Sequence, residues 1–368
     1  MNRGSITKKS TKSGVRWYVV LDLGRDPGTS KRRRKWYGGF ATKREAVAAL
    51  AALQGERSRG LYVEPSQQSL DAFLDEWLPA IQSTVRPGTF KSYSDVLGHA
   101  RRRIGGVALR DLGPMQLNAL YTELLASGRH DGRGGLAPRT VRYCHTVLRR
   151  ALRDAVRWGK LARNPADLAD PPKGGSRTTM RVWDAAQVRH FLATIGEDRL
   201  YAAFLLTAAT GMRRGEVLGL RWTDVDLDHG RLAISQTWVS IGYDMQLSTP
   251  KTARSRRRID LDAGTVAALR AHRLRQVAER AAWPGVWSDT GFVFTREDGS
   301  PIHPQSLSAA FERAVKAAGL PKIRFHDLRH THATLLQMRG VAFGASFSGS
   351  CDRCAVRVLG FWRSAAAA

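Results

Sequence analysis

The sequence is poor in cysteine and has no long apolar run. Its three cysteines, Cys144, Cys351 and Cys354, are too few for a disulfide framework, which indicates a reducing cytoplasm. Cys351 and Cys354 form one C-x-x-C pair without a second pair, so they give only weak support for a metal or redox role. No apolar segment approaches the ~18 residues of a membrane span, and the polar, basic N-terminus lacks the apolar core of a secretory signal. We therefore expect a cytoplasmic protein without a membrane partner.

Acidic residues are also scarce, because 32 Asp and Glu stand against 59 Lys and Arg in 368 residues, a formal net charge of +27. An excess of this size, spread along the whole chain, predicts a polyanionic partner such as nucleic acid. The hydrophobic share of 43% is ordinary for a globular protein, and the length allows two or three domains.

Residues 1–64 predict a small basic β-sheet with one helix. Alternation from Val15 to Leu23 indicates a strand, Trp36 to Phe40 indicates a second, and Thr42 begins a helix with Glu45 at its capping-box position. The alternative is a disordered basic tail, but such tails seldom contain this many aromatic residues. A basic run between the strands supplies the candidate DNA contacts of this module, which are Lys31, Arg32, Arg33, Arg34 and Lys35.

Residues 66–165 show helical periodicity and predict a four-helix bundle. The longest predicted helix runs from Thr140 to Trp158, with one apolar stripe and arginines over the rest of its surface. A helix with a basic face is suited to contact a phosphate backbone. The candidate DNA contacts on this helix are Arg142, Arg149 and Arg153.

Residues 166–180 are rich in proline and glycine and predict a linker, and residues 181–340 predict a mixed α+β domain. Strands are expected at 231–238 and 245–250, joined by a turn near Gly242, and a short strand at Phe292–Phe294. The segment 341–368 has little helical periodicity. The expected fold class is mainly α with small β elements.

The segment from Arg324 to Thr334 concentrates three histidines and two arginines at the start of a predicted helix. Helical spacing would place His326, Arg329 and His330 on one face, where a guanidinium beside imidazoles suits a phosphodiester. A zinc site of the H-E-x-x-H kind is the competing interpretation. It is disfavoured because Asp327 replaces the general-base Glu and Arg329 would repel a dication.

Three separated motifs follow one another along the chain: T-G-M-R-R-G-E from Thr210, P-K-T-A-R-S-R-R from Pro250 and H-D-L-R-H from His326. Together they resemble the tyrosine recombinase (phage integrase) family. The bundle resembles that family's core-binding domain, and the N-terminal module resembles an arm-site-binding domain. The resemblance covers roughly residues 1–340 and implies site-specific breakage and rejoining of double-stranded DNA at attachment sites, with self-assembly on DNA, as a tetramer in intact relatives.

The resemblance also implies roles for individual residues. Arg213 and Arg329 would bind the scissile phosphate, Lys251 would act as general acid toward the departing 5′-oxygen, and His326 would assist proton transfer. Glu216 would hold a neighbouring cationic or histidine side chain. No metal or cofactor is implied, and the expected location is the nucleoid of a prokaryotic or phage-infected cell. Further candidate DNA contacts in the second motif are Arg256 and Arg257.

The C-terminal part departs from the family pattern. The family has a nucleophilic tyrosine some thirty residues past the position of Arg329, but no tyrosine follows Tyr243 and no nucleophile is found. We expect a frameshifted or truncated terminus, because the pattern is lost abruptly after Gly340. A serine nucleophile such as Ser346 or Ser350 is the alternative, disfavoured because no nearby base would activate it. Two functions stay open: a recombinase that does not cleave alone, and a DNA-binding remnant that acts by occupying its site.

Overall fold

The computed structural model describes residues 4–11, 14–25, 30–58, 67–174, 181–248 and 257–338. The chain divides into two compact units, Met1–Ser176 and Arg177–Ala368. In the described ranges no helix is long and apolar enough to cross a membrane. The predicted fold class is confirmed, since helices predominate and the sheets are small.

The first unit begins with a three-stranded antiparallel sheet in the order β1-β2-β3. Its strands are β1 (Gly4–Thr11), β2 (Gly14–Arg25) and β3 (Arg32–Phe40), and helix α1 (Lys43–Ser58) packs on it. The predicted capping box is present, because Glu45 N donates to Thr42 Oγ1 at 3.2 Å and Thr42 N donates to the Glu45 carboxylate at 3.3 Å. Strand β1 was not predicted.

The four-helix bundle follows and confirms the prediction. Its helices are α2 (Leu70–Gln82), α3 (Pro87–Ile104), α4 (Pro114–Ser127) and α5 (Pro138–Arg157), which share one apolar core. The Trp77 indole in α2 donates to Asp154 of α5 at 2.9 Å, so the core is tied by a buried polar bond. Ala166 and Ala169 are buried in the same core, so the bundle continues past the predicted boundary at residue 165 into the segment expected to be a linker.

The second unit is a helical domain with two small sheets. Its helices are α6 (Ala185–Thr194), α7 (Tyr201–Thr210), α8 (Arg214–Leu218), α9 (Ala263–Ala282), α10 (Pro304–Ala317) and α11 (Phe325–Met338). One sheet has the order β4-β5-β8, from β4 (Val225–Asp226), β5 (Arg231–Ala233) and β8 (Arg258–Asp260), and the other is the hairpin β6 (Thr237–Ile241) with β7 (Asp244–Ser248). An aromatic cluster of Trp183, Phe191, Phe204, Phe311 and Phe325 forms its core.

Two strand predictions in this unit were inaccurate. The strand expected at 231–238 is interrupted at 234–236, because the Gln236 amide donates to the Gly219 carbonyl and the chain passes from one sheet to the other. The strand expected at Phe292–Phe294 is replaced by an isolated bridge between Arg221 and Phe292. The Val293 N–H still donates to the Leu220 carbonyl at 2.8 Å, but the Val293 carbonyl accepts from the His272 side chain at 2.8 Å instead of from a neighbouring strand.

Candidate active site

A glycine turn between α7 and α8 places the first predicted site residue. Gly211 ends α7 in the left-handed conformation (φ 63°), and its N–H donates to the Thr207 carbonyl at 2.9 Å. Met212 is fully buried and fixes the turn, so that Arg213 becomes the N-cap of α8. A Cβ atom at Gly211 would lie 2.8 Å from Cδ2 of His332, so glycine is required both by φ and by space.

Glu216 is the buried centre of an arginine cluster. Its carboxylate accepts from the Arg213 backbone N–H at 2.8 Å and from Arg213 Nη1 at 2.7 Å. On its other side Arg257 Nη1 and Nη2 donate to the two carboxylate oxygens at 3.3 Å and 3.0 Å. Burial would raise the pKa of Glu216, but the charge and hydrogen bonds of Arg257, with those of Arg213, outweigh it and lower the pKa below its usual value. Glu216 is therefore ionised and orients both guanidinium groups.

Arg257, a candidate DNA contact in the sequence, is a buried member of this cluster. Its side chain is only 8% exposed and is bonded to Glu216. A buried arginine in bidentate contact with a carboxylate is held in one orientation, so it cannot reach out as a surface contact. The residues around it are also basic, and no sequence signal distinguished the buried arginine from its neighbours.

Arg329 approaches the same cluster from helix α11. Its Nη1 donates to the Gly211 carbonyl, so α11 binds the end of α7 two residues before Arg213. Burial lowers the pKa of Arg329 to about 10, and the positive charges of Arg213 and Arg257 act in the same direction. Arg329 stays protonated at neutral pH, and three arginines with one carboxylate leave a surplus of positive charge. The arrangement is suited to receive an anion.

His332, one turn further along α11, supports this approach. Its Nδ1 donates to the Ala208 carbonyl at 2.9 Å, and its burial lowers the pKa to about 4. The ring is therefore neutral, with its proton on Nδ1. His332 was not selected from the sequence, although its spacing of three from Arg329 places both side chains toward the end of α7.

His326 lines an open cleft together with Arg213. The cleft has a volume of about 620 Å³ and lies between the start of α8, strand β6 and helices α10 and α11. The His326 and His330 rings make an edge contact with centroids 5.0 Å apart. Burial lowers the pKa of His326, and the nearby His330 and Arg329 lower it further, so the ring is neutral at neutral pH.

Asp327, which the zinc interpretation placed at a catalytic position, has a structural role. Its carboxylate caps α11 by accepting from the Arg324 backbone N–H at 2.8 Å and pairs with the Arg324 side chain at 2.8 Å. Burial would raise the pKa of Asp327, but these hydrogen bonds lower it. In the described ranges, no group of three or more His, Cys, Asp or Glu side chains is placed to hold a metal ion.

The remaining predicted contacts belong to the first unit or fall outside the described residues. In the first unit Arg142 and Arg153 are exposed on α5, and Arg149 pairs with Asp167 at 2.6 Å. Arg32 in β3 pairs with Asp22 at 2.8 Å. Its neighbours Lys31, Arg33 and Arg34 are exposed and Lys35 is half-buried. Lys251, Arg256, the end of the strand expected at 245–250 and the segment 341–368 fall outside the described residues.

Two regions of the sequence match known protein families. Residues 181–343 match the phage integrase family, and residues 6–56 match the arm DNA-binding domain. Among curated proteins, a tyrosine recombinase XerC-like protein of Caldanaerobacter subterraneus subsp. tengcongensis is 28% identical over 354 residues, 90% of this chain and 88% of the relative. An integrase of Streptomyces ambofaciens is 28% identical over 342 residues, 89% of this chain and 83% of the relative.

Solved structures share the fold. A Tn1549 transposon integrase in complex with a circular intermediate DNA has a TM-score of 0.63 at 20% identity, covering 80% of this chain and 94% of that one. A lambda integrase dimer bound to a COC′ core site has a TM-score of 0.55 at 18% identity, covering 96% of this chain and 94% of that one.

Proposed function

This chain belongs to the tyrosine recombinase (phage integrase) family, and on that premise we propose that it binds double-stranded recombination-site DNA and grips one backbone phosphate at the arginine cluster. The observation that carries the proposal is the convergence of Arg213, Arg257 and Arg329 around the single carboxylate of Glu216. Arg213 is half-exposed and faces the cleft, so it can rotate onto a phosphate oxygen. Charge-assisted bonds from planar guanidinium groups are suited to nonbridging phosphate oxygens.

The roles of the other site residues follow from their positions. Arg257 stays with Glu216 and sustains the positive potential, while Arg329, beside Arg213, stabilises the additional charge of a pentavalent phosphate. His326 is neutral and lines the cleft, so it can donate or accept a proton at a phosphate oxygen. We assign Lys251, which lies between β7 and β8 in the sequence, the part of general acid on the strength of the family resemblance alone.

We further propose that this polypeptide forms no phosphotyrosyl bond by itself. Strand cleavage in the family stores the DNA phosphate on a tyrosine hydroxyl, and the sequence has no tyrosine after Tyr243. Positioned arginines can bind and polarise a phosphate, but covalent transfer also requires a nucleophile. The arm-type sheet and the basic face of α5 would add contacts to the DNA backbone, and self-assembly on the DNA is expected.

Selection from a pool of randomised duplexes tests the DNA-binding proposal. Wild-type protein should enrich a specific duplex, and Arg213→Gln or Arg329→Gln should weaken its binding by about tenfold or more, the scale of a missing charged hydrogen bond. Arg313→Gln, an exposed arginine on the far side of α10, should leave the affinity unchanged and serves as the matched control. If no duplex is enriched, or if all three variants behave alike, the proposal is wrong.

A nicked duplex that traps covalent intermediates tests the chemistry. Incubation with wild-type protein should give no protein–DNA adduct on a denaturing gel. A tyrosine recombinase of known activity, incubated with its own nicked substrate, is the positive control and should give an adduct. A denaturant-resistant adduct would contradict the cleavage proposal. Strand exchange after adding an intact relative would favour a complementing recombinase, and protection of the site without exchange would favour a remnant acting by occupancy.

A further inference from the structure

Arg214, the residue after the cluster's first arginine, turns into the cleft rather than toward Glu216. It is half-buried, and its Nη1 donates to the hydroxyl of Ser308 in α10 at 2.7 Å. Arg213, Arg257, Arg324 and Arg199 all meet carboxylates, but among the described residues no carboxylate pairs with Arg214. Burial alone lowers the pKa of Arg214, without an opposing charge. Within this part of the chain, the guanidinium is thus partly desolvated without a counter-ion.

A buried hydrogen-bond donor without a partner belongs to a residue that lines the same cleft. Trp238 of β6 lines it, and the indole Nε1 is buried with no hydrogen-bond partner in the described part of the chain. It is the single buried side-chain polar atom in that condition within the described ranges. Because an unsatisfied buried donor costs on the order of 1–3 kcal/mol, an acceptor from outside the chain would remove this cost.

The charges around the cleft favour an anion. Arg213 and Arg214 line it together with Arg324, and the acidic side chain on its wall is Glu312. Glu312 is exposed and lies 3.6 Å from Lys322. Ser240 and Ser308 also line the cleft, where their hydroxyls donate to the Gly242 and Pro304 carbonyls at 2.9 Å and 3.3 Å. The volume of about 620 Å³ is larger than one phosphate group requires.

We propose that this cleft binds a second backbone phosphate of the same DNA strand, next to the one at the arginine cluster, through Arg214, Ser308 and the Trp238 indole. This rests on the proposed function. Consecutive residues point in different directions, Arg213 to Glu216 within α8 and Arg214 to Ser308 on α10. Two arginines that are adjacent in the chain can therefore bind two consecutive phosphates and fix the position of the DNA strand along the site. Arg214 is a positioning residue in this scheme.

The inference is tested by placing a methylphosphonate at one backbone position of the selected duplex at a time and measuring the affinity of each duplex. Each methylphosphonate replaces one charged phosphate with a neutral group. For wild-type protein, two phosphates within one or two nucleotides of each other should each cost about tenfold in affinity when neutralised. Arg213→Gln should abolish the sensitivity at one of them only. Arg214→Gln should abolish it at the other only, while Arg313→Gln should reproduce the wild-type profile.

The Trp238 indole provides a second readout that does not depend on affinity. In a ¹⁵N-labelled chain, the indole N–H resonance assigned with Trp238→Phe should shift on adding the selected duplex. The shift should be absent with the duplex neutralised at the Arg214-dependent phosphate. If Arg214→Gln keeps the wild-type affinity loss at every neutralised phosphate while Arg213→Gln does not, this inference is wrong and the proposed function still holds. If no neutralised phosphate lowers the affinity of the wild-type protein, both are wrong.

Discussion

At the residue scale, Glu216 determines the geometry of the site. It is 5% exposed and pairs with Arg257, whose side chain is 8% exposed, and with the half-exposed Arg213. A buried pair of this kind contributes little net stability over apolar packing, but removing one partner leaves a buried charge uncompensated. The pair is better understood as an orienting device, because Glu216 holds the buried Arg257 guanidinium and orients that of Arg213, which lines the cleft.

Glu216→Gln should therefore destabilise the second unit by about 3 kcal/mol at pH 7, since Arg257 would lose its counter-charge in a buried setting. The folded-state pKa of Glu216 is lowered, so its stabilisation is present above its ordinary value of 4.5 and is lost as the pH falls through the folded-state pKa. Urea unfolding at pH 7 and at pH 3 measures the difference, which should shrink at the lower pH. Glu312→Gln, an exposed carboxylate 3.6 Å from Lys322, should change the unfolding free energy by less than about 0.5 kcal/mol at either pH. Equal effects of the two substitutions would contradict the orienting role of Glu216.

At the element scale, helix α8 lies directly against strand β6 because glycine occupies its inner face. A Cβ atom at Gly215 would overlap the Trp238 carbonyl oxygen and lie 2.5 Å from Thr237 Oγ1, and one at Gly219 would lie 3.1 Å from Thr237 Cα. Neither glycine has a positive φ, so the requirement is for space and not for backbone conformation. This close approach forms the wall of the cleft.

Gly215→Ala should destabilise the protein by about 1–3 kcal/mol, because backbone and not a flexible side chain must move to admit the methyl group. It should also weaken binding of the selected duplex, since α8 carries Arg213 and Arg214. The matched control is Gly88→Ala, at the equivalent second position of α3, where a Cβ would meet nothing within 4 Å. That substitution should be neutral or stabilising by about 0.4–1 kcal/mol through the unfolded chain. Thermal or urea unfolding of both variants measures the effect. If Gly215→Ala leaves the free energy of unfolding unchanged, the close packing of α8 on β6 is contradicted.

At the scale of the whole molecule, the charge of +27 is distributed over both units. Many arginines are already paired with carboxylates, as Arg101 is with Asp71 and Asp75. The formal net charge therefore overstates the number of positive charges that are available to bind DNA phosphates. Arg142 and Arg153 on α5 are exposed, and within the described ranges no carboxylate forms an ion pair with either of them. Such arginines are the better candidates for phosphate contact.

The salt dependence of DNA binding should report these arginines. Replacing Arg142 or Arg153 with Gln should reduce the slope of log affinity against log salt concentration by ~0.9 for each phosphate that the arginine neutralises. Lys91→Gln is the control, because Lys91 pairs with Asp95 at 2.6 Å in the same bundle. Fluorescence anisotropy titrations from 50 to 300 mM salt, on the order of the range where such slopes are resolved, measure the slope. Equal slopes for all three variants would show that Arg142 and Arg153 of α5 do not contact DNA phosphates.

The sequence determined the local structure and the kind of partner. Helical periodicity specified the four helices of the bundle, and Thr42 and Glu45 specified the start of α1, because each depends on residues a few positions apart. The excess of basic residues indicated a polyanion, and three short motifs indicated the family. Strand β1 was missed because a basic, polar edge strand has little apolar alternation.

Only the tertiary structure decided which contacts the basic residues of the site make. Arg329 reaches Gly211 across 118 positions, and Arg257 reaches Glu216 across 41. The second of these pairings could not be read from a run of similar arginines. The half-buried Arg214 and the unsatisfied Trp238 indole are likewise defined by the described residues that surround them. Helix ends and periodicity depend on residues that are close in the sequence, and net charge depends on composition, so the sequence predicts them. The burial of a side chain and the identity of its partner depend on residues that are far apart in the sequence, so only the folded structure determines them.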